Sequence, residues 1–216
     1  MSSRVVCFSG PDGSQMRDVA ASVTVSLGFT LVDEAIIMRA AAEAGVDPEV
    51  VADVERRRSF IERTLGAFTM SGDATAAVFT GGSGYLPPEA QVSDELRGLI
   101  RMAIEEAADR GDVVIVAHAA SHALAGRSDV LRVFVTASTE TRSTRIATEQ
   151  GLSDKDAARA LADADANRAD YLKRFFGEKS ELPTHYDVVV NTDRLSIDVA
   201  TAVVTAAASQ PAPAIA

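Results

Sequence analysis

Short, strongly apolar runs alternate with longer amphipathic segments along most of this chain. An uninterrupted apolar run is typical of a strand buried on both faces of a parallel sheet, and apolar residues that recur every three or four positions predict a helix. The alternation predicts a single α/β domain, a three-layer sandwich around a parallel sheet. Strands are predicted at 5–8, 29–32, 113–116, 130–135 and 186–190, and helices at 18–27, 34–44, 47–58, 60–68, 89–110, 139–150, 154–176 and 196–208.

Several predicted helices are bounded by residues suited to cap them. Ser138 or Thr139 precedes one helix, and Gly151 follows it as a terminator. Ser153 precedes the next helix, with Asp156 three residues later in an acidic form of the capping box. These signals fix the helix ends more closely than the hydrophobic period alone does.

Two segments do not fit the alternation. Residues 70–88 are rich in glycine and small residues, and an irregular stretch of this length inside a domain is usually functional or mobile. Residues 210–216 form a proline- and alanine-rich tail that we expect to be disordered. The predicted single domain therefore covers residues 1–209.

The first predicted strand runs directly into a glycine-containing turn and a helix. This is the geometry of a phosphate-binding loop, in which backbone N–H groups at a helix N-terminus face an anion. Against the motif G-x-x-x-x-G-K-[ST], Gly10 fills the first glycine position, but Gln15 replaces the second. Met16 stands where the lysine is expected, and Arg17 replaces the hydroxyl residue. We call residues 9–17 the glycine loop.

Charge and composition narrow the possible partners. The 216-residue chain carries a net charge of -10, which argues against nucleic acid as the main partner and requires any phosphate site to use locally clustered arginines. The single cysteine, Cys7, excludes a disulfide framework or a cysteine-based zinc site, and we expect it to lie in the core. No signal-peptide pattern and no apolar span of 18 residues is present, which favours a cytoplasmic protein with no membrane partner.

The order of motifs resembles the cytidylate kinase-like family of nucleoside monophosphate kinases, which belong to the P-loop NTPase superfamily. Members of that family carry a first loop like I-S-R-E-x-G-S-G-G-R-E-I-A, in which an arginine follows a glycine pair. The stretch FSGPDGSQMRDVA parallels it at Ser9, Gly13, Ser14, Arg17 and Ala20. Further similarities are VDEAIIMR to L-D-T-G-A-M-Y-R, VIVAH to V-I-V-G-R, and the strand and arginine-bearing helix in VLRVFVTASTETRSTRIATEQGLS. The D-x-x-R from Asp165 to Arg168, and the pairs Tyr186-Asp187 and Asn191-Thr192, are also similar to family motifs.

The resemblance implies a P-loop kinase fold with ATP and Mg²⁺ as cofactors. It also implies an acceptor-side helical insertion at about 34–90 and a lid at about 138–176. The residues implied to bind ATP are Gly10, Asp12, Gly13, Ser14, Gln15 and Arg17. Arg17 would replace the missing lysine on the β- and γ-phosphates. The alternative is a solvated arginine at a helix start, where the macrodipole disfavours a cation.

Five residues are candidates for the acceptor side. Asp33 follows a predicted strand, where it either positions magnesium or the acceptor or simply caps a helix. Arg39 is implied to clamp the acceptor phosphate, with a surface position on an amphipathic helix as the alternative. His118 occupies the position of an arginine that touches the acceptor phosphate in the family. Asp165 and Arg168 resemble the pair that reads base and phosphate, and no metal-ligating set of protein side chains is predicted.

Arg142 and Arg145 lie one helical turn apart and can converge on one anion. In the resemblance they are lid arginines that close over ATP and neutralise the transferring group, which would make them catalytic together with Arg17. The alternative is a charged helix face paired with the nearby acidic residues.

Two functions therefore remain open at the level of sequence. One is a phosphotransferase that moves the ATP γ-phosphoryl to a nucleoside monophosphate or a similar small acceptor. The other is a catalytically impaired nucleotide-binding or regulatory protein on the kinase fold, which the loss of the lysine and of the second glycine favours. A nucleotide or another small phosphorylated molecule is the expected partner in both cases, and apolar helix faces leave a homodimer open.

Overall fold

The computed structural model describes residues 4–33, 94–117, 120–177 and 181–210. The predicted helices between 34 and 68, the irregular segment 70–88, and Arg39 and His118 lie outside the described residues. Within them, the strands are β1 (Val5–Ser9), β2 (Thr30–Asp33), β3 (Val113–Val116), β4 (Val130–Thr136) and β5 (Val188–Asn191). The helices are α1 (Met16–Leu27), α2 (Asp94–Arg110), α3 (Ala120–Ala123), α4 (Thr139–Gln150), α5 (Asp154–Phe176) and α6 (Ile197–Ala208), with a 3-10 turn at Pro183–His185.

The five strands form one parallel sheet in the order β2-β3-β1-β4-β5. The register pairs Asp33 with Val116, and Ser9 with Phe134. Because the strands are parallel, their carboxyl ends lie along one edge of the sheet, where open α/β sheets bind ligands. The glycine loop leaves this edge from the central strand, between β3 and β4.

Side chains of β1 alternate between two apolar layers. Val5 and Cys7 pack on the face covered by α2, whereas Val6 and Phe8 pack on the face covered by α1 and α6. All four side chains are fully buried. This confirms the predicted sandwich and the core position of Cys7, whose thiol pKa burial raises.

The predicted capping residues are confirmed on two helices. The hydroxyl of Ser138 accepts from the backbone N–H of Thr141, and that of Ser153 accepts from Asp156. Gly151 ends α4 in the left-handed conformation. The short helix α3 and the 3-10 turn were not predicted, because segments of three or four residues are too short to show a hydrophobic period.

The polar residue inside β4 has a structural explanation. The guanidinium of Arg132 donates to both carboxylate oxygens of Asp187, at 3.0 and 2.7 Å, just before β5 begins. The backbone carbonyl of Arg132 also accepts from the N–H of Asp187 at 2.8 Å. This pair holds the start of β5 against β4, so the interruption in the apolar run connects the two strands.

Among the described helices, none combines the length and the apolar composition that crossing a membrane requires.

Candidate functional site

The glycine loop keeps the backbone geometry of a phosphate-binding loop although its second glycine is missing. Gln15, at that glycine's position, adopts φ 59° and ψ 23°, the left-handed conformation that glycine reaches without strain. Gly13 is also left-handed, with φ 74°. The path of the loop is therefore maintained by the fold at a position where the residue type does not favour it.

Close packing inside the loop explains why Gly10 is retained. A Cβ at Gly10 would lie 2.5 Å from the carbonyl oxygen of Val135 and 2.9 Å from the Oγ of Ser14. Met16, which stands in place of the motif lysine, is 8% exposed and belongs to the apolar layer formed with Phe8 and Val19. The lysine position therefore contributes to the core, and it supplies no charge to an anion.

Backbone donors are available at the start of α1. The helix has no side-chain cap, and the N–H groups of Gln15, Met16 and Arg17 have no acceptor among the described residues. Unpaired N–H groups and the helix dipole together favour an anion at such an end. The Oγ of Ser14 is buried and has no hydrogen-bond partner in the described ranges, so it adds a further unused donor inside the loop.

The carbonyl groups of the loop are occupied, in contrast to its N–H groups. Each carbonyl oxygen from residue 10 to residue 15 accepts a hydrogen bond from within the protein. The donors, in order of the carbonyl that they reach, are Arg168 (3.2 Å), the N–H of Ser14 (3.2 Å), Arg142 (2.7 Å), Arg145 (3.0 Å), the hydroxyl of Thr192 (2.9 Å) and the N–H of Val19 (3.1 Å).

Helix α4 contributes two of these arginines, one turn apart. Arg142 donates from Nε to the carbonyl of Asp12 and from its terminal nitrogens to the Asp165 carboxylate on α5, with Nη1 at 3.1 Å. Arg145 donates to the carbonyl of Gly13, to the Thr192 hydroxyl at 3.0 Å and to the Thr192 carbonyl at 2.9 Å. The two guanidinium groups therefore do converge, but on the backbone of the loop.

Arg168 on α5 is the centre of a buried network next to β1. Its guanidinium donates to both carboxylate oxygens of Glu181, at 2.6 and 2.7 Å, and to the Oγ of Ser9 at 2.8 Å. The hydroxyl of Tyr186 donates to the same carboxylate, and its ring stacks on Phe134 at 4.8 Å. Burial alone would raise the pKa of Glu181, but the hydrogen bond and charge of Arg168 outweigh it, so that pKa lies below its ordinary value.

Arg17 is the cation that the loop itself supplies. The side chain is half-buried and makes no hydrogen bond to the described part of the chain. Burial raises the pKa of the neighbouring Asp12 carboxyl, and the positive charges of Arg17, Arg168 and Arg142 oppose that rise. Burial likewise raises the pKa of Asp18, against the charge of Arg145. The charges of Arg17, Arg142, Arg145 and Arg168 therefore all act on carboxyl groups of the loop or of the first turn of α1.

The donor set fits a nucleotide phosphate better than a protein-held metal ion. Within the described ranges no group of three histidine, cysteine or acidic side chains is placed to hold a metal. Asp33, buried at the end of β2, is on the same sheet edge as the loop. Mg²⁺ commonly binds through one or two carboxylates together with substrate phosphates and water, so the residues present suit an ion that arrives with the nucleotide.

The structure brings most of the predicted donor-site residues together, and it adds three that the sequence did not single out as site residues. Gly10, Asp12, Gly13, Ser14, Gln15 and Arg17 form the loop, and Arg142, Arg145, Asp165 and Arg168 surround it. Glu181, Tyr186 and Thr192 are the additions. Tyr186 and Thr192 belong to a motif noted above, whereas Glu181 lies between elements and carries no periodic signal. The ligand roles assigned to these arginines stay predictions.

A central parallel sheet in the order 2-3-1-4-5, with a glycine loop between its central strand and the first helix, defines a P-loop kinase fold. The chain belongs to the cytidylate kinase-like family, whose family model matches residues 5–194. The family and the fold are those of kinase-like nucleotide-binding proteins. A comparison with curated protein sequences gave no significant match.

Two solved structures are similar to this chain at low sequence identity. An uncharacterized protein from Eubacterium ventriosum is 15% identical, with a TM-score of 0.61 over 95% of this chain and 99% of that chain. A shikimate kinase from Bacteroides thetaiotaomicron is 14% identical, with a TM-score of 0.48 over 94% of this chain and 96% of that one. At such identity the first likeness shows the fold alone.

Proposed function

We propose that the protein is a cytidylate kinase-like phosphotransferase. It binds ATP in the glycine loop and transfers the γ-phosphoryl group to a nucleoside monophosphate or a similar small acceptor. The oxygen of the acceptor phosphate forms a bond to the γ-phosphorus as the bond from that phosphorus to the β,γ-bridging oxygen breaks, and ADP leaves.

The proposal rests on one observation, the contrast between the hydrogen-bonded carbonyl groups of the loop and its unbonded N–H groups. All carbonyls from residue 10 to residue 15 are bonded inside the protein, whereas the N–H groups at the start of α1 and the Ser14 hydroxyl are not bonded to any described residue. Such a loop presents donors and no acceptors, which suits a polyphosphate. Phosphoryl transfer depends on positioning and charge neutralisation, so a loop of this kind supplies a large part of what the reaction needs.

Arg17 replaces the motif lysine in this proposal. It is the first-turn cation next to the free N–H groups, and a guanidinium can bridge two phosphate oxygens in a way that an ammonium group cannot. Mg²⁺ would neutralise charge on the β- and γ-phosphates, and Asp33 is a carboxylate on that edge of the sheet. Arg39 and His118 are proposed for the acceptor phosphate on the family resemblance alone.

A catalytically impaired nucleotide-binding protein is the second candidate. Met16 is buried in the core where the lysine would stand, and Arg142 and Arg168 are both paired with carboxylates. Charges that are paired internally stabilise a transition state less than charges aimed at the reacting group. This candidate predicts binding of ATP without turnover.

A coupled assay that follows ADP formation separates the two candidates. ATP and Mg²⁺ are supplied with each of the ribo- and deoxynucleoside monophosphates in turn, with an acceptor-free reaction as the background. The kinase proposal predicts turnover with at least one acceptor, highest with a pyrimidine monophosphate. A thermal shift with ATP but no turnover with any acceptor would contradict the kinase proposal and support the second candidate.

A further inference from the structure

The three arginines that the sequence places in a lid and in an acceptor site all donate hydrogen bonds to backbone carbonyls of the glycine loop. We propose that Arg142, Arg145 and Arg168, together with Thr192, are positioning residues that hold the loop open as an anion cradle. They act through the loop carbonyls, and they do not themselves bind the nucleotide. The contacts are properties of the protein without ligand, while their purpose rests on the nucleotide binding proposed above.

The geometry of the peptide group links each anchored carbonyl of the loop to the N–H group that follows it. In a trans peptide the C=O of one residue points opposite to the N–H of the next. Holding the carbonyl of Asp12 on the side of α4 therefore turns the N–H of Gly13 to the other side. Holding the carbonyl of Ser14 toward Thr192 does the same for the N–H of Gln15. Neither N–H has an acceptor in the part of the chain that the structure describes.

The anchoring contacts also explain how Gln15 is kept in a conformation suited to glycine. The carbonyls on its N-terminal side, at Gly13 and Ser14, are bonded to Arg145 and Thr192. Its own carbonyl accepts from the N–H of Val19 in the first turn of α1. A left-handed non-glycine residue persists only where surrounding contacts over-determine it. These contacts come from α4, from the residue that follows β5 and from α1.

Burial argues against movement of two of the arginines toward a nucleotide. The side chains of Arg142 and Arg168 are only 7% and 6% exposed, and each is bonded both to the loop and to a carboxylate. To touch a triphosphate, either guanidinium would have to break its hydrogen bonds to a loop carbonyl and to its carboxylate partner. Asp165 is 41% exposed, but Glu181 is only 11% exposed. Leaving a charge uncompensated at a site as buried as Glu181 is costly, which favours a fixed role over a closing one, most strongly for Arg168.

Arg145 differs from the other two in its charge balance. Its described hydrogen bonds go to the neutral oxygens of Gly13 and Thr192, and it has no ion pair among the described residues. Its positive charge is therefore less compensated, and it lies close to the start of α1, as its effect on the pKa of Asp18 shows. Arg145 should add positive charge to the site as well as hold the loop in place, whereas Thr192 only holds the loop in place.

This difference makes Thr192 the cleanest position for a test. Thr192→Val removes the hydroxyl at nearly constant volume and leaves every charge in place, and Thr192→Ser is the matched control that keeps the donor. Hydrogen–deuterium exchange of the loop peptide is measured on the unliganded full chain, and binding of ATP with Mg²⁺ is measured by calorimetry. We expect faster exchange in Thr192→Val and an affinity about threefold to tenfold weaker, the range that one hydrogen bond supplies. Thr192→Ser should resemble the wild type in both measurements.

Arg145→Lys provides a second variant in case Thr192→Val does not fold, which circular dichroism would reveal. The substitution keeps the positive charge but removes the planar guanidinium group, which donates to Gly13 and Thr192 at once. We expect faster loop exchange in the unliganded protein. Unchanged exchange combined with weaker ATP binding would overturn the proposal, because that is the result for a residue that contacts the nucleotide directly.

The exchange measurement keeps this proposal separate from the proposed function. Unchanged exchange in folded Thr192→Val overturns the positioning role even if ATP binds. If the wild type binds neither ATP nor inorganic pyrophosphate, the proposed function fails, and faster exchange in the variants would still show that these residues order the loop.

Discussion

At the scale of single residues, the glycine loop keeps a left-handed backbone conformation at a position where glycine, the residue that normally adopts it, is absent. Gln15 is left-handed at the position of a motif glycine, and Met16 has become a core residue at the position of the lysine. Neither outcome could be predicted from the sequence, because residue type argued against a left-handed Gln15 and gave no direction for the Met16 side chain. Gly10 occupies the first glycine position of the motif, and the structure shows a lack of space for any side chain there.

The strain at Gln15 leads to a stability prediction. A left-handed conformation costs a non-glycine residue about 1–2 kcal/mol, whereas glycine costs about 0.5–1 kcal/mol through the entropy of the unfolded chain. Gln15→Gly should therefore raise the free energy of unfolding by up to about 1 kcal/mol, and Gln15→Val should lower it because a β-branched side chain tolerates this conformation poorly. Urea denaturation measures both. A lower stability of Gln15→Gly than of Gln15→Val would contradict the assigned conformation.

At the scale of elements, the sequence was a good guide to strands, helices and caps. The apolar runs predicted every described strand to within a few residues, and Ser138, Gly151 and Ser153 marked the ends of α4 and α5 correctly. These features are local, so their signals lie within a few positions of one another. The network that joins α5 to β1 is not local, because Arg168 and Ser9 are separated by 159 positions.

The pair formed by Arg168 and Glu181 leads to a pH-dependent prediction. Removing one charge from a nearly buried pair costs about 3 kcal/mol, so Glu181→Gln should lower the free energy of unfolding by about that amount at pH 7. Because the folded-state pKa of Glu181 is lowered, this contribution is fully present above the ordinary glutamate pKa of about 4.3 and is lost as the pH falls through the folded value. The difference between wild type and variant should therefore shrink in acid.

Glu105→Gln is the matched control for this measurement. It removes a glutamate from the i,i+4 pair with Arg101 on α2, whose side chains are 44% and 69% exposed. An exposed pair of this kind contributes at most about 0.5 kcal/mol. A Glu181→Gln variant as stable as Glu105→Gln, or a difference that does not depend on pH between 3 and 7, would contradict the buried ion pair.

At the scale of the whole molecule, the site is built by convergence of distant parts of the chain. Arg142 reaches Asp12 across 130 positions, and Thr192 reaches Ser14 across 178. The arginines stand out in the sequence of an acidic protein, but the sequence does not show whether they face the loop or a ligand. Thr192 is part of a pair that resembles a family motif, but the motif does not show which atoms its hydroxyl contacts. These long-range hydrogen bonds hold the carbonyl groups of the loop on one side, and they therefore decide in which direction its N–H groups point.

The proposed function requires the glycine loop to bind a nucleotide polyphosphate, with Arg17 as the cation that contacts it. The most direct measurement is calorimetric titration of ATP with Mg²⁺ into the wild type, Arg17→Ala and Arg159→Ala. Arg159 is an exposed arginine on α5 whose side chain makes no hydrogen bond to the glycine loop or to any other described residue. The account predicts saturable binding by the wild type and by Arg159→Ala, and a loss of about tenfold or more for Arg17→Ala, as expected for a charge-assisted contact. Absence of binding by the wild type at millimolar ATP, or equal affinity in all three proteins, would contradict it.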